Sequence, residues 1–207
     1  MINANSGRSM IEMMGVLTII GALSTGGIVG YTKALRQNKI KTSVEQINVI
    51  SGHLSTIGAN GGLYRGLNNK AAIKFKAVLP EMNPSGDTLI NPFGGSVTIA
   101  SAKLLNGGGD DQAYTIEYGG LDVDACATLA SHDWGNAANS SFIGVSAGSS
   151  PAADNIYLKC NGVEATTASV TGCNKGSNIS IPVPVSKAAT ACSQCQNHNC
   201  SLVLKYY

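Results

Sequence analysis

Twenty consecutive residues without a charged side chain, Met13 to Thr32, constrain this chain more than any other feature. At a rise of about 1.5 Å per residue, a helix over that run is roughly 30 Å long, the thickness of a bilayer's hydrocarbon core. The run is long enough to span a membrane. Gly15, Gly21, Gly26, Gly27 and Gly30 lie within it. Glycine weakens a helix in water but lets membrane helices approach one another closely.

Helical patterning continues past the apolar run. Leu35, Ile40, Val44, Ile47, Ile50, Leu54 and Ile57 recur mainly three or four apart, with Lys33, Arg36, Lys39, Lys41 and Glu45 between them. That is the signature of an amphipathic helix. Gly58, followed by Asn60, Gly61 and Gly62, supplies a stop. One helix from about Ile11 to Ile57 is expected, on the order of 70 Å long. Its first half suits lipid or other helices, and its second half suits a domain on one side. A secretory signal peptide has a basic start and a shorter apolar region, whereas Met1 to Gly7 carries no Lys or Arg.

All six cysteines fall between Cys126 and Cys200, which points to disulfides formed outside the reducing cytosol and hence to export. The basic residues after the apolar run pull the other way under the positive-inside tendency; the cysteines outweigh them. A net charge of +2 with 13% charged residues lacks the basic clusters of a nucleic-acid binder. Hydrophobic residues at 43% argue for a folded domain, and 25 glycines for a loop-rich surface.

Beyond the glycine break, Lys70 to Leu79 predicts a short helix stopped by Pro80, and Asp122 an N-cap for a helix to about Ser131 carrying Cys126. Strands are predicted at Ser96 to Ala100, Ala113 to Tyr118, Ser141 to Val145, Ile156 to Lys159, Asn178 to Val185 and Ser201 to Tyr206. Pro182 and Pro184 would make the fifth an edge strand. The fold class is α+β: a long helix packed on a mainly antiparallel, disulfide-bonded sheet domain.

Two enzyme-like constellations are weighed against this. Gly144-Val145-Ser146-Ala147-Gly148 matches a nucleophile elbow, with Asp154 and His198 in hydrolase order; the adjoining Gly148-Ser149-Ser150-Pro151 cannot start the required helix, and a Gly/Ser loop is the plainer reading. Cys192, Cys195, His198 and Cys200 could ligate zinc, but in an oxidising compartment the three cysteines pair in disulfides. His53 and His132 read as surface residues or local hydrogen-bonding groups, and Trp134 as core. Asp122 and Asp124 are a weak calcium pattern. No catalytic residue, metal or cofactor is called for.

The stretch Gly7-Arg8-Ser9-Met10-Ile11-Glu12-Met13-Met14-Gly15-Val16-Leu17-Thr18-Ile19-Ile20-Gly21 resembles the prepilin signature of type IV pilins. Asn91-Pro92-Phe93-Gly94-Gly95, Tyr114-Thr115-Ile116 before Gly120-Leu121, and a Cys-containing C-terminal region are similar to the type IVb branch. The resemblance implies cleavage between Gly7 and Arg8 by a membrane prepilin peptidase, with Glu12 fifth in the mature chain. Arg8 stands where the family usually has an apolar residue, and the leader lacks the family's basic residues. The resemblance further implies N-terminal methylation, storage in the inner membrane, and assembly through the helix into a homo-oligomeric surface filament that serves adhesion or motility. There Glu12 would receive the amino group of a neighbouring Arg8. A minor pilin, a secretion pseudopilin and a membrane-anchored exported binding domain are the alternative readings.

The expected domains are a leader 1–7, a helix 8–57 with its membrane half at 13–32, and a head 58–207. Six cysteines permit fifteen pairings. We expect Cys126 to bridge to one of Cys192, Cys195 and Cys200, the other two to close on each other, and Cys160 and Cys173 to form a local pair.

Overall fold

A computed structural model describes residues 10–61, 63–83, 85–103, 111–135, 141–149, 151, 157–158, 182–195 and 199–207. Two compact units, Met1–Asn38 and Lys39–Tyr207, divide within the first helix, α1, Met10–Gly61.

In the second unit α1 is amphipathic as its spacing predicts. Ile47, Ile50 and Leu54 are completely buried, each contributing roughly 1.5–3 kcal/mol by leaving water. The helix runs past the predicted stop at Gly58 to Gly61. Gly58 is glycine for a packing reason, because a Cβ there would strike the ring of Tyr64.

The remaining elements are α2 (Asn69–Lys74), a 3-10 turn (Pro80–Met82), β1 (Leu89–Ile90), β2 (Ser96–Ala102), β3 (Ala113–Leu121), α3 (Val123–Ala130), β4 (Phe142–Gly148), β5 (Tyr157–Leu158), α4 (Val185–Cys192) and β6 (Cys200–Tyr206). The strands form one antiparallel sheet in the order β1-β2-β3-β6-β4-β5. The last strand of the chain is therefore a central strand of the sheet. One layer of side chains runs across it, from Leu89 through Val97, Tyr118 and Leu202 to Ala147. The adjacent row pairs Ile99 with Ile116, Ile116 with Leu204, and Leu204 with Val145.

This layer meets α1, and polar groups fix the contact. The Tyr118 hydroxyl donates to Gln46 Oε1 (3.3 Å), and the Tyr114 hydroxyl donates to the Ser51 carbonyl (3.0 Å). Ser55 Oγ lies 3.3 Å from the Tyr114 hydroxyl and 3.2 Å from Ser141 Oγ, so helix, β3 and the start of β4 share one network. Burial pushes the phenols of Tyr114, Tyr118 and Tyr206 far above their usual value, keeping them neutral at any physiological pH.

Local rules explain most element ends. Asp122 accepts the Ala125 amide at 2.7 Å and caps α3 as predicted. Asn68 caps α2 by accepting the Ala71 amide. Past the two-residue β1, the side chain of Asn69 takes over the open edge of β2, donating to the Val97 carbonyl and accepting the Ile99 amide; an exposed edge is thereby covered.

Three predictions need correction. The helix expected over Lys70 to Leu79 stops at Lys74, because Phe75 caps it and Lys76 turns left-handed (φ 54°). The strand expected over Asn178 to Val185 lies outside the described residues as far as Ile181. Its described end is not strand, since α4 starts at Val185 with Pro184 as N-cap. Alternating β-branched residues suggested extension there, but the fixed φ of proline followed by Ser-Lys-Ala-Ala favours helix initiation. The third concerns the strand expected to end at Val145 before a Gly/Ser loop; β4 continues through Ser146 and Ala147 to Gly148.

One close crossing depends on glycine. Asn91 is buried; its Nδ2 donates to the Gly119 carbonyl (2.8 Å) while its Oδ1 accepts the amides of Phe93 (2.9 Å) and Gly95 (3.1 Å). This clamps the Asn91–Gly95 turn onto β3 where Gly120 takes φ +68° and the pairing with β6 shifts register. A Cβ on Gly95 would fall on the Gly119 carbonyl, and one on Gly120 would meet Gly95 Cα.

Among the described residues two disulfides close the head. Cys126 of α3 is bonded to Cys192 at the end of α4, a sequence separation of 66. Cys195 is bonded to Cys200 at the start of β6, a separation of 5. Cys160 and Cys173 lie outside the described residues.

Gly95→Ala is expected to cost about 3 kcal/mol, as overpacking against rigid backbone does. Thermal denaturation of the detergent-solubilised protein should show a midpoint lowered by roughly 10 °C. Removing a disulfide as a pair separates the two bridges. Loop entropy assigns about 4 kcal/mol to Cys126–Cys192 and about 2 kcal/mol to Cys195–Cys200. The double variant Cys126→Ser/Cys192→Ser should therefore unfold at a lower urea midpoint than Cys195→Ser/Cys200→Ser.

Candidate assembly site on the N-terminal helix

Within Met10–Asn38 the only acidic residue is Glu12, in the first turn of α1, where the helix dipole favours a carboxylate. Large apolar side chains surround the helix below it. Met13, Leu17, Ile20, Leu23 and Ile28 are all more than half exposed, Leu23 at 71%. An 18-residue window there has a mean hydropathy of 1.7 and no part of it is buried. A helix apolar on every side reaches a low free energy only when something covers it.

Two details say what kind of cover suits it. Thr18, Thr25 and Thr32 donate their hydroxyls back to helix carbonyls, Thr18 to Met14 at 2.8 Å and Thr32 to Val29 at 3.0 Å. Their polar groups thus ask nothing of the surroundings. A Cβ on Gly15, Gly21, Gly26, Gly27 or Gly30 would meet nothing within 4 Å. No contact among the described residues demands glycine at those positions, while close approach of another helix would.

Lys39, at the start of the second unit, has its ammonium 5.7 Å from the centroid of the Phe93 ring. The Asn91 clamp presents Phe93 there, so the turn anchors the first residues of α1 that belong to the head. The sequence held a signal for this in Asn91-Pro92-Phe93-Gly94-Gly95, although the role of Asn91 was not read from it. The Ser55–Tyr114–Ser141 network was missed as well, because serine spacing carries no mark of a partner so distant in the chain.

The proposed cleavage residues Gly7 and Arg8 lie outside the described residues, as do Asp154 and His198. Ser146 is buried inside β4, opposite Val203 of β6; no strand-to-helix turn presents it as an elbow requires. The zinc alternative loses its ligands, because Cys192, Cys195 and Cys200 are bonded in disulfides. Asp122 serves α3 as its cap. His53 is exposed, with Nδ1 3.2 Å from the Lys76 carbonyl, and His132 packs edge-on to Trp134. Trp134 is core, its indole N–H donating to the Leu129 carbonyl at 2.9 Å.

The family model described as PilS N terminal matches residues 37–205. Among curated proteins none matches this sequence. The fold is similar to that of TcpA, a type IV pilin from Vibrio cholerae El Tor biotype, with a TM-score of 0.50 and 18% identity over 82% of this chain and 99% of that one. The type IVb pilin from Salmonella typhi aligns with a TM-score of 0.46 and 18% identity over 80% of this chain and 98% of that one. With the family model spanning the tail of α1 and nearly the whole head, the chain belongs to the PilS family of type IV pilins, structural subunits of pili rather than enzymes.

Proposed function

We propose that this pilin is made as a membrane-held precursor, is cut between Gly7 and Arg8 by a prepilin peptidase, and then enters a filament through α1. The observation that carries this reading is Glu12, the one acidic residue of Met10–Asn38, at the head of a segment of α1 whose large apolar side chains are exposed. Such a helix is compatible with lipid before assembly and with a bundle of like helices after it. The heads, closed by disulfides, form the outside of the filament, where adhesion or motility is exerted.

Glu12 performs the selective step. A carboxylate carried into an apolar bundle costs a few kcal/mol unless a cation meets it. Cleavage creates that cation, the amino group of Arg8. A subunit whose N-terminus reaches the Glu12 of its neighbour is held at one axial register, and one displaced along the bundle leaves both charges unpaired.

Intact-mass measurement of the membrane-derived protein is expected to show loss of Met1 to Gly7 and an N-terminus at Arg8. Retention of those residues, or cleavage beyond Gly21, would count against the reading. Glu12→Ala should be processed, membrane-inserted and folded, yet yield roughly tenfold fewer surface filaments or less, in line with an unpaired intramembrane charge. Sheared-filament yield by electron microscopy and immunoblot checks it; a wild-type yield would remove Glu12 from the assembly step.

A further inference from the structure

Three sulfurs meet where α3, the end of α4 and the start of β6 converge. The Sγ atoms of Cys126, Cys192 and Cys200 all lie within 4.8 Å of one another, and all three residues are buried. Yet Cys200 is bonded to neither of the other two; its partner is Cys195. Cys200 Sγ also lies 3.6 Å from the Cys192 carbonyl oxygen, which fixes it beside the neighbouring bridge. Cys195 is the one sulfur residue of the four with measurable exposure, 7% against 0% for the others. Cys195 is thus the less enclosed end of the Cys195–Cys200 bond, and attack there makes Cys200 the sulfur that leaves.

We propose that these four cysteines form an internal thiol–disulfide relay in which Cys200 is the exchanging sulfur. An external dithiol attacks Cys195 through one thiolate, forming a mixed disulfide and releasing Cys200 as a thiolate. The second thiol of the reductant then displaces Cys195, so the reductant leaves as a disulfide, oxidised by two electrons, and the Cys195–Cys200 pair is reduced by two. The Cys200 thiolate next attacks the adjacent bridge, with no further net electron transfer. Attack at Cys192 forms Cys192–Cys200, breaks Cys126–Cys192 and expels Cys126 as a thiolate, untying α3. Attack at Cys126 forms Cys126–Cys200, expels Cys192 and moves the tie from α4 to β6. Because the reacting sulfurs are already neighbours, the step is intramolecular and far faster than the same exchange between molecules. The small outer bridge is thereby the point of entry through which the long buried bridge is opened or corrected.

Two single variants of the full chain separate this from passive proximity. Cys195→Ser leaves Cys200 as the odd thiol, and Cys200→Ser leaves Cys195, whose sulfur is not in the close trio. Each is purified without reductant, quenched in acid, alkylated and mapped by non-reducing peptide analysis. In Cys195→Ser the label is expected to shift to Cys126 or Cys192, with Cys200 found in a disulfide; in Cys200→Ser it is expected to remain on Cys195. Label confined to Cys200 in the first variant, or equal spreading of label in both, overturns the relay. Should Cys195→Ser fail to accumulate, wild-type protein treated with substoichiometric dithiothreitol gives the same reading. Label on Cys195 together with Cys126 or Cys192 supports the relay, and label on Cys195 and Cys200 alone overturns it.

Discussion

The last seven-residue strand of this chain, Cys200–Tyr206, lies between β3 and β4 and hydrogen-bonds to both. Until it is in place, β3 has a partner on one side only and Leu202, Leu204 and Tyr206 leave a gap through the middle of the core. Its pairing partners in β3 stand about eighty to ninety residues earlier (Leu121 with Cys200, Tyr114 with Tyr206), so the sheet depends on closing a long loop, which costs entropy before any contact repays it. The disulfides act on that cost. Cys126–Cys192 brings the end of α4 back to α3, directly after β3, and Cys195–Cys200 turns the chain from there into β6. Together they shorten the search that the final strand has to make.

The same dependence explains why the head needs α1. The layer of Tyr118, Ile116 and Leu204 requires a cover, and Ile47, Ile50 and Leu54 supply it with Gln46 and Ser51 placed to receive the tyrosine hydroxyls. One helix thus obeys two rules in succession. After Lys39 its apolar residues keep to a stripe; before it they cover the whole circumference, and the change reflects what each segment must touch.

The long helix, its two regimes and the antiparallel α+β class were legible in the sequence because period and charge spacing report them directly. Asp122 was legible as a cap for the same reason: a side chain that accepts an amide three residues on leaves a local trace. Where the reading failed, two local tendencies competed. Pro182 to Val185 alternate like a strand, but Pro184 at the N-cap and the Ser-Lys-Ala-Ala segment behind Val185 start a helix instead. The nucleophile-elbow pattern at Ser146 was rightly set aside, but the Gly/Ser loop read in its place is strand, because Gly144 to Gly148 pair with β6, a partner about fifty-five residues later in the chain. Of the site itself, Glu12 was singled out through the resemblance of Gly7 to Gly21 to the prepilin signature, a local motif, whereas the Asn91 clamp and the approach of Cys200 to Cys126–Cys192 exist only once the chain has folded.

Thr18, Thr25 and Thr32 bend their hydroxyls onto their own helix, and this has a thermodynamic consequence. A side chain that finds its partner internally neither gains nor loses a hydrogen bond when its neighbours change from hydrocarbon tails to the flanks of other proteins. Transfer between two such apolar phases then carries no polar cost from these three threonines, and rests on packing, on Glu12 and on the hydroxyls of Ser24 and Tyr31. Threonine at these three positions therefore adds polarity to the segment without tying it to any one apolar surrounding.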